Sequence, residues 1–273
     1  MRNAKLKNIW DVLYPVVLYV VVSDCICMLL SLALGEHTVS PMMLQILTVI
    51  LSSPPVIYLY VSDRKGQKFL SDGSEGRKDS LRINLLRINL LRILVVCIVA
   101  ACLSVSLNNL ILATKLEEQS AAYRRVNASF FSSTFGVELL GTSLVTPILE
   151  EILYRGIVYE RLKRCGKIRT AVFLSALIFG AMHFNLVQFL YAGLIGVFLA
   201  VVYETEGTIL VPMLAHAVAN AVAVARVETG FLSGFSEKNP FFLPLSLLLL
   251  GISIIMTWYL IRGRLFEKQL KDN

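Results

Sequence analysis

Glu150-Glu151-Ile152-Leu153-Tyr154-Arg155 sets two carboxylates and an arginine at the close of a long apolar stretch. It begins after Pro147 and runs directly into the basic segment Arg161-Leu162-Lys163-Arg164. Ionisable groups inside a lipid-spanning helix are expensive and by default mark a functional site. How the chain houses these three side chains therefore decides both the fold and the chemistry. Working outward, two later apolar stretches carry further polar pairs at a spacing of four: Phe179 with His183, and His216 with Asn220.

The surroundings set the class. Of 273 residues, 56% are hydrophobic and 16% charged, where soluble domains carry about 25% charge. Several apolar runs approach or exceed the ~20 residues needed to cross a bilayer. The sequence thus predicts an all-α, polytopic transmembrane bundle. The net charge of +7 is read as membrane topology. Without a basic patch interleaved with aromatics, no nucleic-acid partner is expected. Cys25, Cys27, Cys97, Cys102 and Cys165 form no CxxC pair, so they are expected to pack as small apolar residues. Arg2, Lys5 and Lys7 before the first run imitate a secretory leader, but the run is long and lacks a small-residue cleavage site. It is expected to stay as the first helix.

Eight spans are expected, near residues 13–34, 41–61, 90–113, 135–159, 170–184, 186–203, 208–224 and 241–261. Pro54-Pro55 should kink or break the second. The segment 62–80, rich in Gly, Ser, Asp and Lys, reads as a loop. It leads into a tandem Leu-Arg-Ile-Asn-Leu repeat over 81–93, whose Arg82, Arg87 and Arg92 share no single face; too short for a solenoid, it is expected as a basic interfacial helix feeding the third span. A polar stretch, 117–133, precedes the span bearing Glu150. Ala192, Gly196 and Ala200 form a small-residue seam for close helix contact, and alternate alanines over 215–223 do the same. Asp24, inside the first span beside Ser23, reads as an inward-facing polar residue. The chain divides near 130: residues 1–130 hold N-terminal helices and a basic cytoplasmic loop (about 62–92), and 131–273 hold the chemistry-bearing core and a final helix.

Alternating the spans with both termini cytoplasmic places twenty lysines and arginines inside and five outside (Lys115, Arg124, Arg125, Arg226, Lys238), with Arg155 left in the site. That is the bias the positive-inside rule demands.

Glu151 and Arg155 are four apart and share a helix face, so they can pair. Glu150 points about 100° away and is left for another task. His216 and Asn220 stack on one face of an alanine-rich helix, and each needs an internal partner in lipid. Taken singly, each group also suits a helix-end charge cluster or a core histidine. With only three histidines in the chain, two falling into this set weighs against coincidence.

Together, EExxxR at Glu150–Arg155, FxxxH at Phe179–His183 and HxxxN at His216–Asn220 resemble the three signature motifs of the CAAX-protease and bacteriocin-processing (CPBP, or Abi) family. They stand in the family's order and on separate spans, and the resemblance covers roughly 144–223. It implies an intramembrane endopeptidase in a multi-pass cell membrane setting, such as a bacterial cytoplasmic membrane, with lipid and a peptide or membrane-protein substrate as partners. Glu150 and His183 would hold and activate a water, and His216 and Asn220 would stabilise the oxyanion. Glu151, Arg155 and Phe179 would support them. A carboxylate at a water-poor cavity suits general-base work. Neutral donors aimed at an oxyanion contribute about 2.7–4 kcal/mol each.

A zinc ion held by Glu150, His183 and His216 is the other mechanism open to these residues, although no His-Glu-x-x-His occurs. The reading favours a glutamate-type site with no required cofactor. Cleavage is placed near the cytoplasmic half of the bilayer. Two other classes stand beside it. One is a catalytically idle binding or scaffolding protein of the same fold, of the bacteriocin self-immunity type. The other, a transporter, lacks the polar spans and inverted repeat it would need. A rhomboid-like serine site has no GxSxG or paired base.

Overall fold

The computed structural model describes residues 2–35, 38–72, 90–232 and 239–272. Among them there is no strand; the chain is a polytopic helical bundle. The helices are α1 (Arg2–Leu34), α2 (Pro41–Asp72), α3 (Leu90–Ala113), α4 (Leu116–Gln119) and α5 (Ala121–Phe130). A continuous helical run over 135–165 follows. It consists of α6 (Phe135–Leu140), a π segment (Gly141–Val145), α7 (Thr146–Glu151), a second π segment (Ile152–Tyr159) and α8 (Glu160–Cys165). The flanking residues of both π segments keep right-handed helical dihedrals, so the run never breaks. Last come α9 (Ile168–Ala181), α10 (Leu186–Glu206), α11 (Leu210–Thr229) and α12 (Phe242–Asp272).

Among the described residues, six helices are long and apolar enough to cross a bilayer: Ile9–Leu34, Pro41–Gly66, Leu90–Ala113, Leu186–Glu206, Leu210–Thr229 and Phe242–Gly263. The other two expected passes fall on the π-interrupted run and on the 14-residue α9. The outer sides of α1 and α12 present Met28, Leu32, Leu247 and Ile254 to the surroundings, as lipid-facing helices must.

Several expectations are corrected. The segment 62–80 is not all loop, because α2 continues to Asp72; the rest of it lies outside the described residues, as does the repeat before Leu90. Helix α2 also runs through Pro54 and Pro55 without a break. A proline removes the N–H that would bond four residues back, which deprives the Ile50 carbonyl. The Ser53 hydroxyl donates to that carbonyl at 2.8 Å, a substitution that hydroxyl side chains often make in membrane helices. The same logic applies in α1. Pro15 deprives the Asp11 carbonyl, and Arg161 donates to it from α8. The cysteines are not core residues: Cys25 and Cys165 are exposed and the other three half-buried, all unpaired. Asp24 is not buried, yet it faces inward as expected, on the wall of the bundle's cavity.

Two large apolar cores and a smaller one around Tyr159, Ala171, Ala200 and Tyr203 hold the described bundle. One large core joins α3, α10 and α11 through Leu103, Leu199 and Ala215. The other joins α1, α2, the 135–165 run and α9 through Val56, Leu153 and Phe179. One end of the bundle is tied by ion pairs. Arg161 grips Asp63 at 2.7 Å, Arg92 grips Glu206 at 2.9 Å, and Lys163 grips Glu204 at 2.5 Å. Arg92 also donates to the Leu260 carbonyl of α12.

The expected seam works on both sides of the α9–α10 contact. A Cβ added at Gly196 would lie 3.0 Å from the Phe179 ring. One added at Gly180 would lie 2.7 Å from the Phe189 carbonyl oxygen and 3.1 Å from the Gly193 backbone. Backbone cannot swing aside, so Gly180→Ala should destabilise the protein by about 1–3 kcal/mol. Gly251→Ala, where a Cβ meets nothing within 4 Å, should leave stability unchanged or raise it by up to about 1 kcal/mol. Thermal unfolding of the two variants in one detergent checks the contrast.

Candidate active site

The 135–165 run supplies the centre of the site, and its irregularity explains how. In the first π segment the Thr146 N–H bonds the Gly141 carbonyl, five residues back. By the same spacing the Thr142 carbonyl would look to residue 147, a proline with no N–H. The Asn220 amide fills the gap, donating Nδ2–H to the Thr142 oxygen at 2.8 Å. The bond identifies Nδ2 as the side facing the run and leaves the second Nδ2 hydrogen for another acceptor. The motif acids close α7, immediately before the second π segment, where Leu153 through Tyr159 are all buried. Single π turns recur at functional sites because they re-aim side chains without ending the helix.

Glu151 is wholly buried and Arg155 nearly so. Arg155 Nη1 donates to Glu151 Oε1 at 2.8 Å, the predicted pair. Its Nη2 donates to the Gly196 carbonyl of α10 at 3.0 Å. The pair does not stand alone: His216 Nδ1 lies 2.9 Å from the same Glu151 oxygen. A carboxylate accepts only, so His216 Nδ1 carries the proton and Nε2 is turned the other way. There it faces Glu150, with Nε2 to Oε2 at 3.7 Å. Glu150 thus lies on the cavity side while Glu151 is sealed in the packing, the division of labour expected from their 100° offset.

Phe179 does more than hold a helix. The Arg155 guanidinium carbon sits 4.7 Å from its ring centroid, a cation–π contact worth about 2 kcal/mol when desolvated. The rings of His183 and His216 meet it edge-on at 5.2 and 5.7 Å, and Tyr154 at 5.0 Å. One aromatic ring therefore fixes both histidines. His183 lies in the turn after α9 and not on the expected span. Its Nδ1 lies 3.0 Å from the Phe179 carbonyl. The carbonyl must accept, so Nδ1 is the protonated nitrogen and Nε2 keeps its lone pair.

Glu150, His183, His216, Asn220, Phe179 and Tyr154 line one cavity of about 880 Å³, within the range of ligand sites. Its walls come from within 19–27 of α1, 41–49 of α2, 108–112 of α3, 142–154 of the central run, 187–195 of α10 and 216–227 of α11, with α5 across one end. Tyr123 of α5 faces it; burial first, and Glu117 second, push its phenol up to about 12, so it serves as a neutral donor. The zinc reading finds no ready ligand set. Among the described residues no group of three or more His, Cys, Asp or Glu side chains is placed to hold a metal ion. No step is therefore derived through a metal.

Sequence reasoning missed Thr142 and Gly196, because both act through backbone carbonyls. Pro147 was the legible signal for the first, and the small-residue seam for the second.

Residues 132–222 match the family model for "Type II CAAX prenyl endopeptidase Rce1-like". The chain is 34% identical over 86 residues to "Putative membrane peptidase YdiL" of Bacillus subtilis (strain 168), covering 32% of this chain and 35% of that protein. It is 26% identical over 107 residues to "Uncharacterized protein YpbD" of the same organism, covering 38% and 52%. It thus spans about a third and about half of the length of these curated relatives. No solved structure matches it.

Truncating Glu151 strands a buried guanidinium, so Glu151→Ala should cost about 3–5 kcal/mol of stability. Glu150→Ala removes a carboxylate without a close cationic partner and should leave stability unchanged or slightly raised, as functional residues often do. Equilibrium unfolding of both variants in detergent compares them.

Proposed function

We propose, from the match of residues 132–222 to the Rce1-like CAAX endopeptidase model and the likeness to a membrane peptidase, that this multi-pass membrane protein is an intramembrane endopeptidase of the CAAX-protease (CPBP) type. The carrying observation is that Glu150, His183, His216 and Asn220 line one cavity, with His183, His216 and Asn220 each held by a hydrogen bond to the surrounding protein. The substrate is a peptide segment of a membrane-associated protein or peptide.

A water held between Glu150 and the lone pair of His183 Nε2 attacks the scissile carbonyl carbon, and its proton passes to Glu150. The oxyanion that forms receives the remaining Nδ2–H of Asn220. It also receives Nε2–H of His216, which Glu151 keeps oriented through Nδ1. Nδ1 stays bonded to Glu151 while Nε2 faces the cavity beside Glu150. Collapse of the tetrahedral intermediate breaks the C–N bond, and the leaving amine takes the proton from Glu150. Positioned acid–base groups contribute about 10²–10⁴-fold, and an oxyanion donor about 10²–10³-fold.

Purified protein in liposomes with a peptide library tests this. Glu150→Gln and His183→Ala should each lower cleavage about 10²–10⁴-fold, and Asn220→Ala about 10²–10³-fold. Wild-type cleavage should survive a chelator; sensitivity would return zinc to the mechanism. Variants that are folded and cleave like wild type would sink the protease reading and leave the idle binding protein.

A further inference from the structure

The cavity has a direction. Every helix that lines it contributes from the same side of the bundle, the side of α4 and α5. None of the residues in the ion pairs that tie the opposite end lines it: Asp63, Arg92, Arg161, Lys163, Glu204 and Glu206 all lie elsewhere. Those ion pairs also show, independently of any span count, that the basic ends of α1, α2, α3, α8, α10 and α12 share one face, since they bond to one another across it. The span alternation read from the sequence assigns twenty of the chain's lysines and arginines to that side, the bias expected of a cytoplasmic face.

We propose that the cavity is entered from the extracytoplasmic face and takes an unprenylated peptide segment presented there. The inference rests on the protease reading and names its substrate class. It replaces the expectation that cleavage occurs near the cytoplasmic half. The rim chemistry supports the peptide. Gln45, Asn108, Asn127 and Gln188 set side-chain amides among the aromatic walls. Amides offer both donors and acceptors, which match the alternating N–H and C=O of an extended chain. Asn108 already donates to the Ser104 carbonyl and Gln188 accepts from Asn185, but an isoprenoid tail offers no hydrogen-bonding group and would leave the amides of Gln45 and Asn127 unmet at a desolvation cost.

Single-cysteine labelling tests the direction. Ser129 on α5 is exposed at the cavity rim, and Cys165 is exposed on the basic face. Two full-length variants, one with Cys165 as the sole cysteine and one cysteine-free except for Ser129→Cys, are expressed in intact bacterial cells. Both are treated with a membrane-impermeant maleimide. The expected result is labelling at position 129 before lysis and at Cys165 only after it; the reverse pattern overturns the proposal. Labelling does not depend on turnover, so the two readings fail separately. Inward labelling with active cleavage removes the direction and keeps the protease. Outward labelling without cleavage of any peptide removes the protease and the substrate class but keeps the opening. A matched pair of peptides, one farnesylated, is then added from the outside. Faster cleavage of the unmodified peptide supports the class, and faster cleavage of the farnesylated one overturns it.

Discussion

A fully buried carboxylate in the middle of a membrane bundle is sustainable only while charged or donating partners hold it. Glu151 has two, Arg155 at 2.8 Å and His216 at 2.9 Å, on the same oxygen. Much of the site's order follows from that one oxygen. Through Arg155 it reaches the Gly196 carbonyl and the face of Phe179; through Phe179 it reaches His183. Through His216 it sets which nitrogen faces Glu150 and the cavity. Three helices, the central run, α9 and α11, are thereby fixed against one another at the place where the chemistry needs them, with α10 joined through its backbone. A buried ion pair of this kind is a poor source of net stability, because desolvation offsets most of the attraction. Its value here is orientation.

A second device recurs across the bundle. Prolines inside helices leave carbonyls without an N–H, and in lipid no water replaces it. Ser53 supplies the donor for Ile50, Arg161 for Asp11, and Asn220 for Thr142. The first repair is local, within an α2 that stays continuous through two prolines. The second ties α8 to α1 on the basic face. The third binds α11 to the central run and, in doing so, orients a motif side chain toward the cavity. A backbone defect that costs stability elsewhere serves here as a docking point.

The sequence made much of this legible. Spacing alone paired Glu151 with Arg155 and separated Glu150 from both, and the three motifs marked the elements that meet. It left other things out of reach for identifiable reasons. Period-based reading assumes an unbroken α-helix, so neither π segment in 135–165 was foreseen, nor the turn that carries His183 beyond the end of α9. Composition reads Gly, Ser and Lys as a loop, yet α2 persists to Asp72. The Glu151–His216 contact spans 65 residues and has no local signature, so the internal partner that His216 needs could not be named from the sequence. Carbonyl roles, as at Thr142 and Gly196, are silent because any residue type supplies a carbonyl.

The claim that Glu151 acts by aiming His216 is tested most directly by a double-mutant cycle on cleavage rate, with Glu151→Gln, His216→Gln and the double variant in liposomes. If Glu151 works through the imidazole, the glutamine at 151 slows wild type but adds little once His216 is gone, giving a coupling energy of about 1–3 kcal/mol. Strict additivity of the two effects would contradict it, and would reduce Glu151 to a structural partner of Arg155.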